Sequence, residues 1–164
     1  MAGEPAIAER VVKLLTDRGL TLAVAESCTG GLIGDMLTDV PGSSRCFLGG
    51  IVPYHNDAKQ KLLGVPQSIL EKFGGVSAET ALAMAQGVRP RFGADIGVAV
   101  TGIAGPGGGT PEKPAGLTYL AAVDEKGRVA SRRAEWTGTR RQNKRRSALT
   151  ALFLVEELLE GDER

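Results

Sequence analysis

Three stretches of this sequence combine a reactive side chain with residues able to tune it. Ser27 stands in Ala25-Glu-Ser-Cys-Thr-Gly-Gly31, where a short apolar run ends and two glycines precede renewed helical spacing. A hydroxyl there lies beside the backbone N–H groups of Cys28 to Gly31, which can converge on an anion and put a nucleophile next to an oxyanion site. The same residues also read as a capping Ser-Cys-Thr segment at a helix start, and G-x-S-x-G is absent, so no nucleophile elbow is assigned. Tyr54, Asn56 and Lys59 follow within a six-residue span. With Asn56 as N-cap, Lys59 falls in the first helical turn, where the positive end of the macrodipole disfavours an ammonium and lowers the lysine pKa. A neutral Lys59 could take the proton from Ser27, with Tyr54 relaying or donating a proton, in a Ser–Lys hydrolase arrangement. Taken alone, Lys59 beside Lys61 also reads as a surface lysine.

Cys28 with His55 is the competing pair, because a thiolate needs less activation than a hydroxyl. Cys28 directly follows Ser27, however, and adjacent side chains in a turn diverge, so one of the two faces a substrate. The third stretch, Thr101-Gly-Ile-Ala-Gly105-Pro-Gly-Gly-Gly109, offers backbone donors without side-chain bulk. No Gly-Lys-Ser/Thr follows it, and Pro111 and Pro114 stand where a helix would open, so neither a P-loop nor a dinucleotide fingerprint is present. Close backbone approach by a phosphate or ribose, or a surface loop, are the readings left. Arg140-Arg141-Gln-Asn-Lys144-Arg145-Arg146 places five cations in seven residues. They spread around a helix, which fits a solvated helix start, a nucleic acid or a substrate phosphate. Arg140, nearest the preceding loop, is the residue assigned to a small anion.

The elements that must hold these residues alternate in type. Ile7, Val11, Leu14 and Leu15 predict a helix over 5–18 closed by Gly19. Apolar runs at 21–25, 46–52 and 96–101 predict buried strands, and 116–123 with 129–136 form a hairpin around Asp124-Glu-Lys-Gly127. Helical spacing resumes at 32–37, and further helices start at Asn56, at Pro66 before Gly74-Gly75, and at Ser77. Leu149, Leu152, Val155 and Leu159 mark a last helix, followed by an acidic tail expected to fray. This order predicts an α/β fold, a three-layer α/β/α sandwich on a mixed, mostly parallel sheet. Ligands of such sheets bind outside the carboxyl ends of parallel strands, and three of these strands end in the stretches above.

Composition narrows the function classes. At 164 residues the chain is expected to be one domain spanning 1–164. With 20 basic and 19 acidic residues it is no polycation, and aromatics at 4% argue against stacking platforms for single-stranded nucleic acid. Two cysteines and one histidine lack metal-ligand spacing. No apolar run is long enough for a membrane span and no signal core opens the chain, so a cytoplasmic location is the expectation. Glycine is in excess: 23 residues, about 14%, against an average of about 7%.

Together the segments resemble the CinA C-terminal domain family, the nicotinamide-mononucleotide deamidases. The resemblance rests on Ala25-Glu-Ser-Cys-Thr-Gly-Gly31, Pro41-Gly-Ser-Ser44, Tyr54-His-Asn-Asp-Ala-Lys59 with Leu62-Leu-Gly-Val65, and Gly75-Val-Ser77. It extends to Thr101-Gly-Ile-Ala-Gly-Pro106 with Glu112-Lys-Pro-Ala-Gly116, and so covers nearly the whole chain. Two departures are His55, where the family carries Ser, and Gly138-Thr139-Arg140, where it carries Gly-Asp-Arg. The resemblance implies hydrolysis of the carboxamide of nicotinamide mononucleotide to nicotinate mononucleotide and ammonia, without metal or cofactor, within pyridine-nucleotide recycling. It also implies a five-stranded mixed sheet, a homo-oligomer, and the stand-alone form of a domain that other members carry behind a larger N-terminal one. Ser27 would attack the amide carbon, backbone N–H groups would hold the oxyanion, and Lys59 with Tyr54 would manage the proton for departing ammonia. Thr29, Gly30, Gly31, Asn56, Thr101, Gly102, Gly105 and Arg140 make up the expected substrate-binding set. Ser44 joins them as substrate-binding hydroxyl or reserve nucleophile. The alternatives are a nucleotide-binding module without catalysis and a nucleic-acid-associated protein working through 140–146 with steep salt dependence.

Overall fold

A computed structural model describes residues 4–161, and the predicted fraying tail lies mostly outside them. Helix α1 (Glu4–Arg18) precedes strand β1 (Leu22–Glu26) and helix α2 (Leu32–Thr38). A 3₁₀ turn at Ser43–Arg45 leads into β2 (Phe47–Ile51), after which come α3 (Asn56–Leu63), α4 (Gln67–Phe73) and α5 (Ala78–Phe92). Strands β3 (Ile96–Gly102), β4 (Leu117–Asp124) and β5 (Val129–Glu135) follow, and α6 (Arg140–Glu160) closes the described chain. No described helix is long and apolar enough to cross a membrane.

The five strands form one sheet in the order β2-β1-β3-β4-β5. Strand β1 is parallel to both β2 and β3, whereas β3–β4 and β4–β5 are antiparallel. Parallel and antiparallel pairings are therefore equal in number, which corrects the expectation of a mostly parallel sheet. The reason lies in the 103–116 connection, which carries no helix and cannot make a parallel crossover, so β4 returns antiparallel beside β3. The 46–52 run is also corrected: β2 is an edge strand whose residues alternate between half-buried and exposed, not a buried one.

Period-two alternation splits the strand side chains into two sets. Leu22, Val24, Ile96, Val98, Val100 and Leu120 face the cluster formed with α1, α2 and α6. Ala23, Ala25, Ala99, Ala121 and Val123 face the cluster with α3, α4 and α5. Small residues on that second face let α5 seat against the backbone: a Cβ on Gly97 would lie 2.4 Å from the carbonyl oxygen of Ala85. Register then sets the site. Leu22 pairs with Ile96 and Glu26 with Val100, while Ala25 pairs with Ile51, so the chain leaves β1, β2 and β3 at one edge of the sheet.

Candidate active site

Ser27 leaves β1 still tied to the sheet, its N–H donating to Val100 O at 3.0 Å. The turn after it is folded around the buried carboxylate of Glu26. That carboxylate accepts from Thr29 Oγ1 at 2.7 Å, from the N–H of Ile33 at 2.8 Å and from the N–H of Gly34 at 3.1 Å. Gly30 N–H donates to Ser27 O at 3.2 Å. Gly30 and Gly31 have φ of 64° and 111°, a left-handed path that a side chain would strain.

Opposite stands α3. Its N-cap is His55, whose Nδ1 accepts from Asp57 N–H at 3.2 Å, so Asn56 is the first helical residue and not the cap. The histidine ring nitrogen supplies the acceptor that an Asn side chain was expected to supply. Asn56 turns toward the α4–α5 connection, where a Cβ on Gly75 would fall 2.1 Å from its Oδ1. Lys59 lies in the first turns of the helix, as expected, and is 3% exposed. Its Nζ donates to Ser27 Oγ at 3.0 Å and to Tyr54 O at 3.2 Å. Burial pulls the Lys59 pKa below the ordinary lysine value; a negative charge on Cys28 would oppose this. That charge is absent at neutral pH, because burial pushes the Cys28 thiol up to about 12. Cys28 packs into the core beside α1, α2 and α6, and His55 is exposed and engaged as a cap, so the structure does not pair them.

Arg140 joins the remaining parts. It sits at the start of α6 behind a capping box of Thr139 and Gln142. One guanidinium nitrogen donates to Gly105 O at 3.0 Å and another to the Tyr54 hydroxyl at 3.1 Å. Tyr54 therefore offers its carbonyl to Lys59 and its hydroxyl to Arg140. Thr101 Oγ1 donates to Gly75 O at 2.6 Å, fixing the wall opposite the glycine loop.

A cavity of about 290 Å³ opens between these groups. Ser27, Cys28, Tyr54, Asn56, Lys59, Thr101, Gly102 and Arg140 line it, with Gly75, Val76 and the glycine loop at Ile103, Ala104, Gly107 and Gly108. Other expected site residues lie elsewhere. Thr29, Gly30 and Gly31 line a neighbouring cavity, and Gly105 contributes its carbonyl to Arg140. Ser44 is exposed in the turn before β2, at the opposite end of the sheet from the strand exits. Two positioning residues had escaped the reading of motifs. Glu26 folds the serine turn, and buried Asn143 donates to Ala104 O at 2.9 Å and to Gly138 O at 3.1 Å, holding the glycine loop to α6. Their signal was polar character at positions that helix and strand periodicity places inside. A buried hydroxyl and amine at hydrogen-bond distance, with a guanidinium across the cavity, have the chemistry of a nucleophile, a base and a hydrogen-bond donor to an anion.

The sequence and fold have close counterparts. The model of the CinA C-terminal domain matches residues 4–159. A CinA-like protein of Chlorobaculum tepidum is 54% identical over 153 residues, covering 91% of this chain and 36% of its own length. One from Kosmotoga olearia is 48% identical over 157 residues, covering 96% of this chain and 38% of its own. The chain thus spans little more than a third of these curated relatives. The crystal structure of the competence/damage inducible protein CihA from Agrobacterium tumefaciens superposes with a TM-score of 0.93 at 43% identity, covering 95% of each chain. With the family model matched almost end to end and a solved relative sharing the whole fold, this chain belongs to the CinA C-terminal domain family.

Proposed function

We propose that this chain is an amidohydrolase that converts nicotinamide mononucleotide and water to nicotinate mononucleotide and ammonia. The observation that carries the reading is the 3.0 Å contact between Lys59 Nζ and Ser27 Oγ, both buried. The neutral amine takes the serine proton as Oγ attacks the carboxamide carbon, and the resulting ammonium returns that proton to the departing ammonia. Water, deprotonated by the same amine, then cleaves the acyl-enzyme; the ammonium returns the proton to the departing Ser27 Oγ, and the product acid ionises to the carboxylate. Gly30 N–H is committed to Ser27 O and so is not among the donors free to hold the oxyanion. Arg140 takes the phosphate of the substrate, which displaces the Tyr54 hydroxyl from the guanidinium.

Ammonia release from the purified chain with nicotinamide mononucleotide, and with free nicotinamide as comparison, tests this. Ser27→Ala should abolish release while retaining mononucleotide binding. No ammonia from the wild-type chain would sink the reading.

A further inference from the structure

Two sequence motifs, Gly75-Val-Ser77 and Glu112-Lys-Pro-Ala-Gly116, supply no reactive side chain, yet the fold brings them together. They meet at the α4–α5 connection, where three successive backbone carbonyls are each taken by a side chain from a different element. Lys113 Nζ donates to Phe73 O at 2.5 Å, Thr80 Oγ1 to Gly74 O at 2.7 Å, and Thr101 Oγ1 to Gly75 O at 2.6 Å. Phe73 ends α4, so its carbonyl lacks a partner within the helix, and a cation suits that negative end. Glycine at 74 leaves room for the ammonium: a Cβ there would lie 2.9 Å from Nζ. Half-buried Lys113 belongs to the outer layer of a loop folded back on itself, whose inner layer supplies Ile103, Ala104, Gly107 and Gly108 to the Ser27 cavity. Gly116 N–H closes the stem on Ile103 O at 2.6 Å. The two layers touch at Ala115, since a Cβ on Gly109 would fall 2.4 Å from its nitrogen. Around Lys113 the backbone is fixed by Thr110, whose N–H donates to Lys113 O at 2.8 Å and whose Oγ1 accepts from Lys113 N–H at 3.0 Å.

We propose that Lys113 is a positioning residue of the Ser27 cavity: it ties the glycine loop to the α4–α5 connection at Phe73 O, and so sets the separation of the two walls between which the mononucleotide is bound. Gly75 and Val76 form one wall and the 103–108 segment the other. Thr101, on β3, joins the connection to the sheet, and Lys113 joins it to the loop. Arg140 and Asn143 hold the other flank of the loop to α6. The reacting pair is anchored separately, through Ser27 N–H to Val100 O and Lys59 Nζ to Tyr54 O. Losing the Lys113 tie therefore loosens substrate binding and leaves nucleophile and base in place. The kinetic consequence rests on the amidase reading; the tie between the walls does not.

Lys113→Met keeps the aliphatic stem and removes the donor, and Lys113→Arg restores one. With nicotinamide mononucleotide, Lys113→Met should raise KM about tenfold, as expected for the loss of one charge-assisted hydrogen bond. Its kcat and the pH profile of kcat should stay within about twofold of wild type, and Lys113→Arg should recover most of the KM. Hydrogen exchange at the 74–77 amides reads the tie without turnover: it should quicken in Lys113→Met and return toward wild type in Lys113→Arg. A fall in kcat at unchanged KM, the mark of a smaller folded fraction, overturns the proposal. So does an unchanged KM, or a Lys113→Arg variant no better than Lys113→Met. Where the wild type releases no ammonia, the amidase reading fails and the calorimetric Kd for nicotinamide mononucleotide takes the place of KM. A Kd raised in Lys113→Met together with faster exchange at 74–77 then leaves the positioning role standing. Unchanged Kd, unchanged exchange, or no binding by the wild type overturns it.

Discussion

Lys59 is held by a hydroxyl and a carbonyl, with no carboxylate paired to it among the described residues, so burial favours its amine form. Two consequences follow from the direction of that shift. Ammonia release should rise with pH through an ionisation below the ordinary lysine value of about 10.4. Lys59→Arg should abolish it by more than about a hundredfold, because a guanidinium cannot be deprotonated. Stability should follow as well. The folded state binds fewer protons than the unfolded chain between the lowered pKa and the ordinary one, so stability climbs with pH across that window. Below the lowered pKa the burial penalty is fully present, and urea melts of Lys59→Met should lack the climb. Cys28→Ala tests the neighbouring thiol: activity should persist while stability falls by about 1 kcal/mol from the small void left in the core. That Ser27, Lys59, Tyr54 and Arg140 come together around one cavity was legible in the sequence, because strand exits and a helix start are written into the local pattern. Thr29 to Gly31 line the neighbouring cavity instead, since the turn after Ser27 folds around the Glu26 carboxylate, a tertiary detail beyond the motif. Ser44 needed the direction of β2, which no local spacing reveals.

Glu26 shows an element depending on a side chain outside it. Helix α2 has only seven residues and no side-chain cap at Gly31, and the Glu26 carboxylate satisfies two of its first N–H groups. Glu26→Ala would strand those N–H groups and the Thr29 hydroxyl, a loss of roughly 3 kcal/mol. Because Ser27 is its chain neighbour, ammonia release should fall too. Urea denaturation and the ammonia assay on Glu26→Ala and Glu26→Gln check this, the Gln variant recovering part of the stability through its remaining acceptor. Most elements could be read in advance, since caps such as Ser77 and alternation in the strands are local signals. The equal count of parallel and antiparallel pairings could not, because it depends on what a helix-free connection does in three dimensions. The edge position of β2 is likewise a property of the sheet order, and Phe92 lying over Gly49 belongs to tertiary packing.

At the scale of the whole molecule, one sheet covered on both faces carries every residue of the Ser27 cavity on its own loops and helices, although the curated relatives are about two and a half times as long. The site therefore draws on the rim of a single core. That core is lopsided, with large aliphatic residues toward α1, α2 and α6 and mostly alanine and glycine toward α5. Alternate positions along the same strand should then fail in opposite ways. Enlarging Ala99 or Gly97 drives α5 off the backbone, at a cost of about 1–3 kcal/mol. Trimming Val98 or Val100 to alanine opens a void, at a cost of roughly 1–3 kcal/mol. A saturation scan of β3 scored by folded yield should trace a sawtooth, tolerance for bulk and tolerance for loss swapping at every step. A volume-swapped pair across the sheet would not compensate, because the two positions face separate clusters.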